Sequence, residues 1–143
     1  MDDLDKEMLR LLGANARLPV AVLAKKLGVA RSTVQARLDR LELSGVIAGY
    51  TVRLGAAGHA RRVQATALIQ IEPRSTAQVL ARLQSMPEIT QATTTTGRFD
   101  FILAISTGST EELDRVLDAI GMVPGIRSSE SLVHLSKKID RAV

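Results

Sequence analysis

Residues Leu18–Tyr50, LPVAVLAKKLGVARSTVQARLDRLELSGVIAGY, constrain the fold more than any other stretch of the chain. Val20, Leu23, Ala24 and Leu27 recur at helical spacing, which predicts a first helix with one apolar face. Pro19 suits a first helical position, where no backbone N–H is required. Gly28 can take positive φ and close that helix, and Val29-Ala30 make the turn. A second helix is expected from Arg31 to about Ser44, burying Val34, Leu38 and Leu41 at i, i+4 and i+7. Gly45 ends it, and Val46-Ile47 return the chain to the core. The outer face of this helix carries Ser32, Gln35, Ala36 and Arg40, with Arg31 and Thr33 flanking its first turn. Short or hydrogen-bonding side chains near a helix N-terminus, followed by arginine, suit a helix that enters a major groove. Two amphipathic core helices with a solvated face would explain the apolar spacing equally well. The Gly-centred turn and the basic, small-residue face favour a helix-turn-helix. Arg31, Ser32, Thr33, Gln35, Ala36 and Arg40 are therefore the candidate contacts to double-stranded DNA. Asp39, on the same outward side, would repel a phosphate unless a neighbouring Arg pairs with it.

Charge is distributed accordingly. Residues 1–62 hold 11 Lys/Arg against 6 Asp/Glu, a balance of +5, and residues 63–143 hold 8 against 9, a balance of −1. The basic excess thus sits with the helix-turn-helix, as expected if only that half meets a polyanion. Tyr50, Phe99 and Phe101 are the only aromatics, which argues against a stacking platform for single strands and leaves duplex DNA as the better target. There is no Cys, so disulfides, thiolate zinc sites and a Cys nucleophile are excluded. With two histidines, His59 and His134, a metal site is not expected, nor is any cofactor. The acidic start MDDLDKEMLRLL lacks a signal-peptide layout, and no apolar run approaches the ~18 residues of a membrane span. A cytoplasmic location is expected.

Upstream, Asp2 to about Ala14 reads as a helix with Leu4, Met8, Leu11 and Leu12 inward and acidic residues in its first turn, where the helix dipole favours them. Thr51–Leu54 is a possible short strand, Gly55-Ala56-Ala57-Gly58 a flexible linker, and His59, Arg61 and Arg62 are expected on a solvated linker. Beyond it, Val63 to Glu72 places Val63, Ala65, Ala67, Ile69 and Ile71 on one face and Gln64, Thr66 and Gln70 on the other, the pattern of a half-buried strand. A helix follows over Ser75 to Met86, then strands over Ile89 to Thr96 and Phe101 to Ser106. Ser109 with Glu112 forms a capping box that opens a helix burying Leu113, Val116, Leu117 and Ile120. Ile126 to Leu135 is the last strand. The order β-α-β-β-α-β is the split, ferredoxin-like arrangement. The expected fold class is α+β: a three-helix, winged-type helix-turn-helix domain over 1–50, a linker over 51–62 and a βαββαβ domain over 63–143.

LDKEMLRLL, the helix-turn-helix, LDRLELSGVIAGY and TGRFDFIL occur in an order and spacing that resemble the Lrp/AsnC family of transcription regulators, over nearly the whole chain. The resemblance implies an N-terminal DNA-binding domain, a hinge, and a C-terminal amino-acid-responsive (RAM) domain that dimerises through its sheet. It further implies assembly to tetramers, octamers or larger, and binding of an amino acid or related metabolite between RAM domains near a Gly-x-aromatic-Asp turn. Carried onto this chain, the effector site is Gly97, Arg98, Phe99 and Asp100 with the last-strand residues Leu132, Val133 and His134. Each has a plainer reading: Gly97 as a turn residue, Asp100 as a turn cap or partner of Arg98, Leu132 and Val133 as interface packing, His134 as a surface histidine. Two departures stand out. Ala30 replaces the usual Ser or Thr cap of the reading helix, leaving Ser32 or Thr33 to cap a later start. Arg98 places a cation where an acidic or other polar group is common, so leucine cannot be assumed as the ligand.

Assembly is also expected from the residues themselves. Phe101, Leu103 and Ile105 alternate with Ile102 and Ala104, so this strand is apolar on both faces, and an antiparallel strand facing water should not be. A homodimer burying the second face follows. Two other classes stand beside the regulator. One is an architectural DNA-binding protein whose crevice is filled by its own side chains. The other is an enzyme like the siroheme decarboxylases, similar in fold, although the C-terminal half offers few basic or His groups to hold a tetrapyrrole's carboxylates.

Overall fold

The computed structural model describes residues 1–59 and 62–141. It divides into two compact units, Met1–Arg53 together with the last residues from Ile139, and Leu54–Lys138.

In the first unit, α1 (Asp3–Ala14), α2 (Val20–Leu27) and α3 (Arg31–Leu43) enclose a core of Met8, Leu12, Leu23, Ala24, Val34, Leu38 and Leu41. The expected α1 stripe is partly corrected: Met8 and Leu12 are buried, whereas Leu4 and Leu11 are only half-buried. Asp5, three residues before Met8 and seven before Leu12, completes the stripe and is wholly buried. Pro19 stands one residue earlier than expected, as the N-cap of α2. Gly28 closes α2 in the left-handed region, at φ +67°, with its N–H on the carbonyls of Ala24 and Lys25. Ala30 is the N-cap of α3 and gives it no side-chain hydrogen bond, so the helix starts at Arg31 rather than later at Ser32 or Thr33. Beyond α3, the Ile47 N–H reaches the Leu41 carbonyl at 3.0 Å and Ile47 joins the core, while Val46 stays exposed.

No strand occurs among the described residues of this unit, so the winged-type detail is not seen. Thr51–Leu54 is exposed and has no neighbouring strand to complete its hydrogen bonds, and a lone strand is not stable. Ala56–His59 forms one helical turn, α4, where a flexible linker was expected. Arg61 and the side chain of His59 lie outside the described residues. Arg62 is exposed, as expected, but not free: its Nε donates to Ser106 Oγ at 3.0 Å and its Nη2 to the Ser106 carbonyl at 3.2 Å.

The second unit runs β1 (Val63–Ile71), α5 (Thr76–Gln84), β2 (Ile89–Thr94), β3 (Phe101–Thr107), α6 (Thr110–Gly121) and β4 (Ile126–Val133). The strands form one antiparallel sheet in the order β2-β3-β1-β4. Ala65, Ala67, Ile69 and Ile71 of β1 and Phe101, Leu103 and Ile105 of β3 point to one side, where Val79, Leu83, Leu113, Val116 and Ile120 of the helices close the core. At the α6 N-terminus the Glu112 N–H donates to Ser109 Oγ at 3.1 Å, and the Glu112 carboxylate accepts the Gly108 N–H at 2.8 Å. The capping pair therefore forms, with its return arm one residue further out than expected.

The opposite side of the sheet is open in the single chain. In register across it lie Thr93, Ile102, Leu68 and Glu130, and beside them Gln91, Ala104, Thr66 and Leu132. Ile102 is 39% exposed and Leu132 57%. The dual apolar character of β3 is thus real, and only one of its faces is covered by its own helices.

Candidate nucleic-acid interface and effector site

The outward face of α3 lines a recess of about 460 Å³ formed by Ser32, Thr33, Ala36, Arg37 and Arg40. Residues 32, 36 and 40 follow one another a turn apart, and 33 and 37 flank them, as 3.6-residue periodicity requires. Four of the six candidate DNA contacts therefore share one recess. Gln35 and Arg31 are exposed beside it. Ala36 has no side chain beyond Cβ, which leaves the recess floor low between polar walls.

Arg37 was not singled out in the sequence, and the structure makes it central. Its Nη1 donates to Asp2 Oδ2 and, at 3.1 Å, to Asp5 Oδ1. Arg40 donates from Nη2 to Asp5 Oδ2 at 2.8 Å while 58% of its side chain stays exposed. Asp2 and Asp5 also cap α1 reciprocally, Asp5 N–H to Asp2 Oδ1 at 3.0 Å and Asp2 N–H to Asp5 Oδ2 at 3.1 Å. One acidic pair thus serves both the start of α1 and two arginines of α3. Arg40, a candidate DNA contact, is thus also shared with a buried carboxylate. Asp39 also finds a partner other than the expected Arg, accepting from Gln35 Nε2 at 2.8 Å. A carboxylate can only accept, so it fixes which end of the Gln35 amide faces it.

The Arg37 guanidinium, followed by the Asp5 N–H, holds the Asp2 carboxyl at about 2, below its ordinary 3.8. Burial pushes Asp5 up, but the Asp2 N–H and the guanidinium groups of Arg37 and Arg40 outweigh it and leave this carboxyl lowered too. Both groups bind protons less readily folded than unfolded. The stabilisation from Asp2 is therefore present above about pH 4 and lost as pH falls toward about 2, and that from Asp5 is lost in the same direction. Acid unfolding followed by circular dichroism should show this loss, and Asp2→Asn should flatten the profile in that window. Superimposable profiles would contradict the assignment.

In the second unit, Gly97 takes φ +97°, a left-handed conformation that would strain a residue carrying Cβ. The turn it makes is pinned by the Thr95 hydroxyl donating to the Phe99 carbonyl at 2.9 Å and by the Thr95 N–H on the Asp100 carbonyl at 3.0 Å. Asp100 Oδ2 accepts the Ile71 N–H at 2.6 Å, beside the register shift at Gln70/Ile71. The Asp100 carboxylate thus ties the end of the turn to β1, a partner that is neither the turn itself nor Arg98. Arg98 lies over the Phe99 ring at 4.9 Å and faces Glu130 of β4 at 3.5 Å. Its carbonyl accepts from Gln70 Nε2 at 2.6 Å, and Gln70 Oε1 accepts from Ser128 Oγ at 2.6 Å. Glu130, Gln70 and Ser128 were missed because the chemistry that joins them to Arg98 spans two strands and the β2–β3 turn, and no local motif records it.

The last-strand residues separate. Leu132 pairs with Thr66 and faces the open side; Val133 pairs with buried Ala65, on the other side, but stays 49% exposed and outside the core. His134 lies beyond the end of β4, its Nε2 2.7 Å from Thr66 Oγ1 and its N–H on the Gln64 carbonyl. Among the described residues no cluster of three or more His, Cys, Asp or Glu could hold a metal, and no helix is long and apolar enough to cross a membrane.

A helix-turn-helix with an exposed polar reading face, accompanied by a βαββαβ sheet domain, defines a class of two-part regulators. Residues 1–42 match the AsnC-type helix-turn-helix domain and residues 64–143 the Lrp/AsnC ligand binding domain. The chain belongs to the Lrp/AsnC family of transcriptional regulators. It is 30% identical over 135 residues to the HTH-type transcriptional regulator FL11 of Pyrococcus furiosus, covering 94% of this chain and 89% of that one. To the regulatory protein AsnC of Escherichia coli it is 30% identical over 145 residues, covering 100% and 95%. The solved structure of E. coli AsnC superposes with a TM-score of 0.89 at 29% identity, over 100% of this chain and 97% of that one. A Neisseria meningitidis transcriptional regulator solved as its L-Met complex superposes with a TM-score of 0.88 at 23% identity, over 99% and 94%, a likeness of fold. The homologues are transcriptional regulators rather than enzymes, which sets aside the decarboxylase-like alternative.

Proposed function

We propose that the chain is a sequence-specific regulator that reads double-stranded DNA with α3 as a homodimer and answers to a small amino acid or close relative bound by its C-terminal unit. The observation that carries the DNA reading is the recess of Ser32, Thr33, Ala36, Arg37 and Arg40 on the exposed face of a helix-turn-helix's second helix. Arg31 and the first turn of α3 are suited to phosphate, since Ala30 has no side-chain oxygen to cap the leading N–H groups. Such a regulator acts in the cytoplasm, with the DNA. Gln35, its amide oriented by Asp39, is the base reader. Gln35→Ala should relax preference at one base step by ~1–3 kcal/mol, measured on duplexes varied one pair at a time. A loss equal on every sequence would move the reading face elsewhere.

For dimerisation the open sheet face is the candidate, with Leu68, Ile102, Ala104 and Leu132 as its apolar centre. A twofold pairing there places one subunit's Gly97–Asp100 turn near its partner's last strand. Arg98 and Glu130 present a cation and a carboxylate on that face, matching the α-carboxylate and α-ammonium of an amino acid. Both are more than half exposed and their pairing is loose at 3.5 Å, so a ligand can replace it. The L-Met complex of the Neisseria relative supports this ligand class. The same Arg98–Phe99–Glu130 contacts favour the second reading, an architectural protein whose crevice is filled by its own side chains. A thermal-shift screen against the amino acids separates the two. A ligand at ~100 times its Kd should stabilise the fold by roughly 2.7 kcal/mol, and Arg98→Ala should abolish that shift. No shift from any amino acid would favour the architectural reading. Assembly beyond the dimer, to tetramer or octamer, is carried by family likeness alone.

A further inference from the structure

Asp5 is a wholly buried carboxylate that neither the effector site nor the reading of bases uses, and its side-chain partners are arginines of α3. Together Asp2, Asp5, Arg37 and Arg40 form a network of two negative and two positive charges, net zero, along one wall of the α3 recess. A helix that reads sequence has to keep its directional donors while limiting its pull on any duplex, because phosphate attraction is blind to sequence. Pairing with a carboxylate achieves both. Arg40 commits Nη2 to Asp5 and keeps its other donors on an exposed side chain. Arg37 directs Nη1 to both carboxylates and is only 25% exposed, so it is the fixed strut of the network.

The local sequence explains why the network is rigid. An N-cap Asp and an N3 Asp, instead of the commoner Ser and Glu, close the α1 capping box with side chains that have a second oxygen left over. Those second oxygens meet Arg37, and the capping oxygen of Asp5, Oδ2, accepts from Arg40 as well. The start of α1 and the guanidinium positions on α3 are consequently one structure, built from residues 35 positions apart.

We propose that Asp2 and Asp5 are positioning residues that set the DNA selectivity of α3, by holding Arg37 and Arg40 in place and cancelling their sequence-blind attraction to phosphate. This rests on the reading of α3 as the DNA helix. Asp2, with 54% of its side chain exposed, can be changed without burying an unpaired group, so Asp2→Asn carries the test. Asp3→Asn is the control: it removes the same charge from the same helical turn, but Asp3 pairs with Lys6 and not with α3.

The full-length protein is first used to recover duplexes from a random-sequence library. Binding of each variant is then measured, over a range of salt, to the recovered duplex and to a scrambled duplex of equal length and composition. Asp2→Asn should bind the scrambled duplex several-fold more tightly than wild type, with a log–log salt slope steeper by about one. Its affinity for the recovered duplex should rise less, so that the ratio of the two falls. Asp3→Asn should keep the wild-type ratio. The proposal is overturned if Asp2→Asn leaves ratio and slope unchanged, or if Asp3→Asn changes them equally, which would make the effect one of bulk charge. A wild-type protein that binds recovered and scrambled duplexes alike fails one step earlier, at the reading of α3 itself.

Discussion

Raising the salt from 50 to 200 mM is expected to weaken duplex binding by ~10³–10⁵-fold, the loss that follows from 6–10 phosphate contacts. That number of phosphates suits a dimer with two heads. Each head brings Arg31 at the start of α3, Lys25 and Lys26 in the last turn of α2, and Arg17 in the turn before it. In this motif the first helix crosses the sugar–phosphate backbone while the second enters the groove, which gives the α2 lysines their place. Arg37 and Arg40 do not add full charges because Asp2 and Asp5 offset them. Lys26→Ala should lower the salt slope by about one for each phosphate left without its lysine, and weaken all sequences alike. Fluorescence anisotropy with a labelled duplex reads both. An affinity indifferent to salt would contradict a DNA-binding role.

The second large effect is expected from the sheet. Ile102 sits on β3, opposite Leu68 in register, at the centre of the uncovered face. Ile102→Asp leaves the helix-covered core of Phe101, Leu103 and Ile105 untouched, so the unit should fold. A charge buried without a partner between two sheets costs several kcal/mol per protomer, and a twofold interface carries it twice. The variant should therefore be a monomer at micromolar concentration by light scattering, where the wild type should be a dimer. DNA affinity should fall with it by ~10²–10⁴-fold, since the second head is no longer held near the duplex by the first. A folded variant that remains dimeric would place the interface elsewhere.

The helix-turn-helix was legible because its signals are local. Val34, Leu38 and Leu41 recur along one face of a single helix, and Gly28 and Gly45 mark its borders. The sheet was legible for the same reason, since alternation with period two reports burial directly in β1 and β3. What escaped depends on pairs distant in sequence. Asp5 reads as one more acidic residue in a first turn, and nothing local says that Arg37 and Arg40 neutralise it after burial. Glu130 reads as a polar residue of an edge strand until β1 brings it beside the Gly97 turn. Asp100 offered three partners by chemistry, and its carboxylate takes a fourth, the Ile71 N–H beside the register shift of β1, which no local motif records. The supposed strand at Thr51–Leu54 failed for the converse reason: a strand needs a neighbour, and residue propensity does not supply one.

Selection of random-sequence duplexes with the purified full-length protein shows whether a pair of α3 helices reads a particular duplex sequence. The predicted result is one enriched motif with twofold symmetry, its half-sites centred about one helical turn, ~34 Å, or a multiple of it apart. Gln35→Ala should lose preference at one position in each half-site and keep the rest. A selection that returns no enriched sequence, or a motif that Gln35→Ala leaves unchanged at every position, would contradict that reading.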